Sequence, residues 1–274
     1  MLRLGPSIGF RGTLINTLKS LITKTCQFEL IGNQPYTCRV LSLDDKLQAT
    51  EYCFNNDISF YVHLNCSYDF ARGDYLATKT FNSVQRDLDN IAYLPASGIL
   101  HIGRSCKGGT IEVVGQRVNS LNLNYPRCNS NVPYPLLLEN AAGQGTELGV
   151  SVDEIRKLFE IIDHGSRVGL CIDTQHSFAS GICNFGLPES INKLFDEDLP
   201  KYPSLIHLND SKKIFGSRVD RHENIGIGYI FNSNNDKGGL KHLFSICKEK
   251  RIDIVLETPH PMQLTHDLNL CYSL

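Results

Sequence analysis

Residues 134–139 read YPLLLE, an apolar run without polar alternation that ends on a carboxylate. A strand buried on both faces looks like this, and such strands belong to parallel sheets. Working outward, similar runs recur at Ser59–Leu64 (SFYVHL) and Gly98–Ile102 (GILHI) on one side, and at Val168–Thr174 (VGLCIDT) on the other. Gly5–Phe10, Cys26–Ile31, Leu205–Leu208 and Ile252–Leu256 complete a set of eight. Stretches at helical spacing separate them. Thr13–Thr23 places Leu14, Ile15, Leu18, Leu21 and Ile22 on one face. Ser42 caps a helix that reaches about Asn55, with Asp45 at the capping-box position. Further helices are expected over Asp74–Tyr93, from about Thr110, over Val152–Ile162 behind Ser151, over Lys237–Lys250, and briefly within His266–Leu274. Strand–helix alternation of this kind predicts an α/β protein built on a parallel sheet. At this length it predicts a single (β/α)8 TIM barrel, one domain over residues 1–274, with the active site at the C-terminal face of the strands. A doubly wound open sheet is the competing architecture. Its GxGxxG loop is missing, and Gly143, Gly145 and Gly149 have the wrong spacing for it.

Composition narrows the function classes. The chain is 41% hydrophobic and 20% charged, ordinary values for a soluble globular protein. No apolar run approaches the ~18 residues of a membrane helix, and MLRLGPSIGFRG lacks the apolar centre of a signal peptide. The expectation is an intracellular monomer, cytoplasmic, nuclear or viral in origin, with no membrane contact. The cysteines are scattered and form no CxxC pair, so they read as free thiols in or near the core. The net charge of −2 excludes nucleic-acid binding through bulk charge and requires a local basic patch instead.

The chemistry gathers at the strand ends. His63, His101, Glu139, Asp173 and His207 each close one run and recur every 34 to 38 residues, with Glu257 closing the last. That step matches one βα unit, so all six converge on one end of a barrel. Singly, each is explained by a satisfied loop hydrogen bond. Together, converging carboxylates repel and resist ionising unless a cation holds them. His176 follows Asp173 by three residues, and Asp220 with His222 lies in the long segment after His207. The set is nine: five His, two Asp and two Glu. Mixed imidazole and carboxylate favours Zn²⁺, with Mn²⁺ as an alternative. His164, His242, His260 and His266 fall outside the ladder and read as surface or local structure.

The segments ENAAGQG (139–145), RVGLCIDTQH (167–176), HLNDSK (207–212), FGSRVDRHENIGIG (215–228) and LETP (256–259) resemble the signatures of the endonuclease IV family of apurinic/apyrimidinic endonucleases, in the family's order. The resemblance implies a barrel with three zinc ions. His63, His101 and Glu139 hold one; Glu139 bridges to a second with Asp173, His207 and Glu257; His176, Asp220 and His222 hold the third. Glu139 and Glu257 are then the catalytic carboxylates. The implied activity is hydrolysis of the phosphodiester 5′ to an abasic site in double-stranded DNA, leaving a 3′-hydroxyl and a 5′-deoxyribose phosphate, with cleaning of blocked 3′ ends. GNQPYTCR (32–39) resembles the family's lesion-probing loop, which makes Gln34, Tyr36 and Arg39 candidate DNA contacts. Lys212, Arg218 and Arg221 are candidates for the phosphates. Where the family carries a tyrosine three residues after the strand-three histidine, this chain has Cys66, with Tyr68 two further on as the replacement candidate. Two other readings remain: a metal-dependent sugar isomerase or epimerase on a related barrel, and a non-catalytic damage-binding protein. The second has no need of nine ligands.

Overall fold

The computed structural model describes residues 2–10, 12–30, 38–125, 134–163, 167–232 and 237–274. Its apolar runs become β1 (Leu4–Pro6), β2 (Thr25–Glu29), β3 (Ser59–His63), β4 (Ala96–His101), β5 (Leu136–Glu139), β6 (Val168–Asp173) and β7 (Pro203–Leu208). A two-stranded antiparallel ribbon follows, β8 (Asp210–Ser211) with β9 (His222–Glu223), and β10 (Asp253–Leu256) comes last. Eight of these pair in parallel in the order β1-β10-β7-β6-β5-β4-β3-β2. The ends of that row meet. Ser7 bridges Gln27 in parallel, and the Ile8 amide donates to Gln27 O at 2.8 Å. The sheet is therefore a nearly closed barrel, and the open-sheet alternative falls. The seam is tight: a Cβ on Gly5 would lie 1.8 Å from Thr25 O, so only glycine lets β1 and β2 approach.

Strand periodicity now explains the unbroken runs. Tyr61, Ile99, Leu137, Cys171, Leu205 and Val255 form one buried cluster inside the barrel. Their strand neighbours Leu100, Leu136, Leu138, Ile172, Ile206 and Leu256 belong to two other clusters, shared with the helices outside. Both faces are apolar because both are covered.

The helices are α1 (Leu14–Lys19), α2 (Leu43–Asn56), α3 (Ala77–Ile91), α4 (Ile111–Ser120), α5 (Val152–Ile161), α6 (Thr174–Ser180), α7 (Pro188–Asn192), α8 (Gly238–Lys250) and α9 (Leu264–Tyr272). Ser42, Thr110 and Ser151 cap α2, α4 and α5 as their types predict. Three features differ from expectation. The Asp45 carboxylate accepts the amides of Leu14 and Ile15 at 2.7 and 3.0 Å, so it serves α1 across 30 residues of chain. The helix expected from Asp74 starts at Ala77, because Arg72 grips the Asp74 carboxylate at 2.7 Å and Asp74 turns back to the Leu76 amide. The helix α6 directly after β6, α7 and the π-helical turn behind it were not among the expected helices. Among the described residues no helix is long and apolar enough to cross a membrane. Nine cysteines are described, all free, six of them buried.

Candidate metal centre

Each residue of the inner cluster lies two positions before a polar one: Tyr61 before His63, Ile99 before His101, Leu137 before Glu139, Cys171 before Asp173, Leu205 before His207, Val255 before Glu257. Side chains two apart share a face of a strand. The six polar residues thus form the next layer up the same bore, at the C-terminal end of the strands. The register agrees, with His101 beside Glu139 and Asp173 beside His207.

Glu139 is the hub. Its Oε2 lies 3.1 Å from His63 Nε2 and 3.2 Å from His101 Nε2. Its Oε1 lies 3.1 Å from His207 Nδ1 and 3.4 Å from His176 Nδ1. Two oxygens of one carboxylate thereby face two different groups of imidazoles. Glu257 meets the same nitrogen of His207, with Oε2 at 3.1 Å from Nδ1. His176 and His222 lie 3.6 and 3.3 Å from the two oxygens of Asp220. The β8–β9 ribbon delivers that last pair, because it folds the segment after His207 back over the barrel mouth.

Three groups of ligand atoms lie within 4.8 Å of one another: His63, Cys66 and His101; Asp173, His176 and His222; Glu139, Asp173, His207 and Glu257. All nine expected ligands are drawn together. The grouping differs from the expected one in two places. Asp173 joins the third set, with Asp220 flanking it. Cys66 joins the first, its Sγ 3.7 Å from His63 Nδ1.

The residues behind the ligands hold them in place. Asp173 caps α6 by accepting the His176 amide at 2.8 Å, and its other oxygen accepts from Asn209 Nδ2 at 2.7 Å. Asn140 Oδ1 accepts the Asp173 amide, and Asn140 O takes His176 Nδ1 at 2.9 Å. His63 Nδ1 is held by Leu64 O at 2.7 Å. Gln27 meets both His207 and Glu257. The sequence reading missed Gln27, although two polar residues two apart, Gln27 and Glu29, interrupt the apolar run CQFELI and were a legible signal.

Electrostatics give the site its sign. Burial works against the Glu139 carboxylate, yet the His207 and His101 imidazoles hold it well below the usual range. Burial also opposes ionisation of Glu257, and His207 prevails, pulling it to about 2. Asp220 follows the same pattern under His176 and His222. Burial disfavours a charged His176, but Asp173 and Asp220 outweigh it and push its pKa up. This cluster collects positive charge, as protons or as a cation. A cation fits the residues present. His222 Nε2 is buried with no hydrogen-bond partner while it faces carboxylate oxygen, and the donors are the imidazoles and carboxylates that zinc accepts.

The candidate DNA contacts divide. Lys212, Arg218 and Arg221 are carried at the surface by the loop that holds Asp220 and His222, all three exposed. Arg39 is exposed, with its guanidinium 4.8 Å from the Phe10 ring centre. Gln34 and Tyr36 lie outside the described residues, as does His164. Tyr68 turns inward: it is 6% exposed, and its hydroxyl donates to Asp87 Oδ2 at 2.7 Å. A tyrosine pinned in this way is not presented to a DNA stack. His260 and His266 are exposed, and His242 is half-buried against Asn192, a local contact. A cleft of ≈ 280 Å³ opens beside His101, His176 and Asp220, with Cys66 and Arg104 in its wall.

Known proteins share this arrangement of chain. Residues 28–236 match the xylose isomerase-like TIM-barrel family. A probable endonuclease 4 of Chlorobium phaeovibrioides is 34% identical over 170 residues, 61% of this chain and 58% of that protein. The match thus spans less than two thirds of that relative's length. Endonuclease IV from Thermus thermophilus superposes with a TM-score of 0.76 at 22% identity, over 99% of this chain and 98% of that one. A D-tagatose 3-epimerase-like protein superposes with a TM-score of 0.65 at 15% identity, over 99% and 96%. At these identities the two solved structures speak to the fold.

Proposed function

The chain belongs to the xylose isomerase-like TIM-barrel family, in its endonuclease IV group, and from that premise we propose that it hydrolyses the phosphodiester 5′ to abasic sites in double-stranded DNA. The products are a 3′-hydroxyl and a 5′-deoxyribose phosphate, and blocked 3′ ends are cleaned by the same centre. The observation that carries the reading is the split of Glu139, with one oxygen on His63 and His101 and the other on His207. A bridging carboxylate between two ions needs that geometry.

Three zinc ions would be held by His63, His101 and Glu139; by Glu139, Asp173, His207 and Glu257; and by His176, Asp220 and His222. When bound, zinc supplies an ionisable water near neutral pH and a Lewis acid for the phosphate. The chain's own residues do the rest. Glu139 fixes the spacing of the two central sets. Glu257 stands beside His207, 3.1 Å from Nδ1, in the second of these sets. There it would ligate, and would orient the attacking water or take its proton. Lys212, Arg218 and Arg221 place the sugar–phosphate backbone and read no bases. Selectivity follows from turning the sugar out of the helix, which costs least where no base is stacked. The protein acts in the cytoplasm or nucleus as a monomer, one domain over residues 1–274.

A duplex carrying one tetrahydrofuran abasic analogue tests this. Incision 5′ to the analogue is expected, abolished by chelation and restored by zinc. No incision by zinc-replete, folded protein overturns the reading. Glu139→Gln is expected to lose both activity and bound metal, and full retention of both overturns the bridge. The barrel's likeness to an epimerase makes free sugars the control: turnover of a ketose with no incision favours the isomerase alternative.

A further inference from the structure

His207 is the central ligand whose two ring nitrogens face side chains of different kinds. Nδ1 points at carboxylates, 3.1 Å from Glu139 Oε1 and 3.1 Å from Glu257 Oε2. Nε2 points across the bore at Gln27 Oε1, 2.6 Å away. Gln27 turns its amide nitrogen to the remaining Glu257 oxygen, Oε1. It lies on β2, 1% exposed, in register with Tyr61 one layer below the ligands.

Donor and acceptor roles follow from chemistry. An ionised carboxylate only accepts, so the Gln27 NH2 group goes to Glu257 and its oxygen to His207. An amide oxygen also only accepts, so His207 Nε2 carries the hydrogen. In the neutral ring Nδ1 then keeps the lone pair, aimed between Glu139 and Glu257. The other buried imidazoles use the same device with a different acceptor: His63 Nδ1 is held by Leu64 O and His176 Nδ1 by Asn140 O. Those acceptors are main-chain carbonyls. His207 depends on a side chain from the opposite wall, 180 residues away.

We infer that Gln27 is the positioning residue of the central metal set. It holds His207 in the Nε2–H tautomer and occupies one oxygen of Glu257, leaving Nδ1 and Oε2 to the ion. The inference rests on the metal reading proposed above. Gln27 acts through the two side chains it meets, His207 and Glu257. If it were only a satisfied buried amide, its removal would change stability and nothing else.

The test replaces the amide at near-constant volume, Gln27→Met. Chelator-stripped wild type and variant are titrated with zinc against a chromophoric chelator. The expected result is three zinc ions in both proteins, with one of the three bound ten- to a hundred-fold more weakly in the variant. Three ions at wild-type affinity in the folded variant overturn the inference. Wild type that binds no zinc overturns the proposed function and this inference together. Wild type that binds three with an unchanged variant overturns this inference alone. A second measurement needs no variant: long-range ¹H–¹⁵N spectra of the zinc-loaded wild type are expected to show His207 protonated at Nε2, and protonation at Nδ1 instead refutes the assignment.

Discussion

Removing the Asp210 carboxylate should detach the loop that carries Asp220 and His222 while leaving the barrel standing. Asp210 is fully buried beneath that loop. Oδ1 accepts the amides of Ser211 and Ile230, each at 2.8 Å. Oδ2 accepts those of Gly226 at 3.0 Å and Phe231 at 3.3 Å. Asp210→Ala strands four amide donors. At ~1–3 kcal/mol for each buried, unsatisfied group the ceiling is roughly 4–12 kcal/mol. Gly226 is only half-buried, so water relieves part of this, and about 3–5 kcal/mol is the expected cost. That exceeds what holds a surface loop closed but stays within the ~5–15 kcal/mol that holds a domain. Asp210→Asn keeps one acceptor oxygen and should cost about half as much. Hydrogen exchange with metal analysis measures the effect. Amides within residues 211–231 should lose protection, and one zinc per chain should be lost, while amides of β3–β6 keep theirs. Wild-type protection and full metal content in Asp210→Ala would refute the reasoning.

Three further outcomes are expected. Glu257 is held near 2, below the ~4.3 of an unfolded glutamate, so its stabilisation is present above ~4.3 and fades as pH falls toward 2. His207 is raised against burial, so in chelated protein its contribution is full below ~6.5 and is lost as pH rises through the folded value. Zinc needs that ring neutral, so the Tm gap between zinc-loaded and chelated protein should widen from pH 5 to pH 8, and a gap independent of pH contradicts this. Gly5→Ala forces a Cβ to 1.8 Å from Thr25 O and should cost about 3 kcal/mol, read as a Tm drop of roughly 6–12 °C; a drop under about 2 °C means that the seam tolerates the methyl. Tyr68→Phe removes the hydroxyl held by Asp87 and should lower stability by about 1–2 kcal/mol with abasic-duplex affinity unchanged; the reverse pattern would make Tyr68 a DNA contact.

The sequence by itself determined the eight parallel strands, their pairing and the nine polar side chains that gather at the barrel mouth. A β-strand alternates faces every residue, so an apolar strand that ends on a charge states locally which way the charge points. The capping residues Ser42 and Ser151 were legible for the same reason, because their partners lie three residues away. Other features needed the closed barrel. Asp45 reads locally as part of its own helix and in fact serves α1. Cys66 reads as a loop residue until folding brings it beside His63 and His101. Gln27 meets His207 and Glu257 across 180 and 230 residues of chain, and no local pattern encodes such a meeting. Local periodicity decided which side chains enter the bore. Only closure of the seam between β1 and β2 decided which atoms meet there, because directional hydrogen bonds across a barrel exist only once both walls are in place.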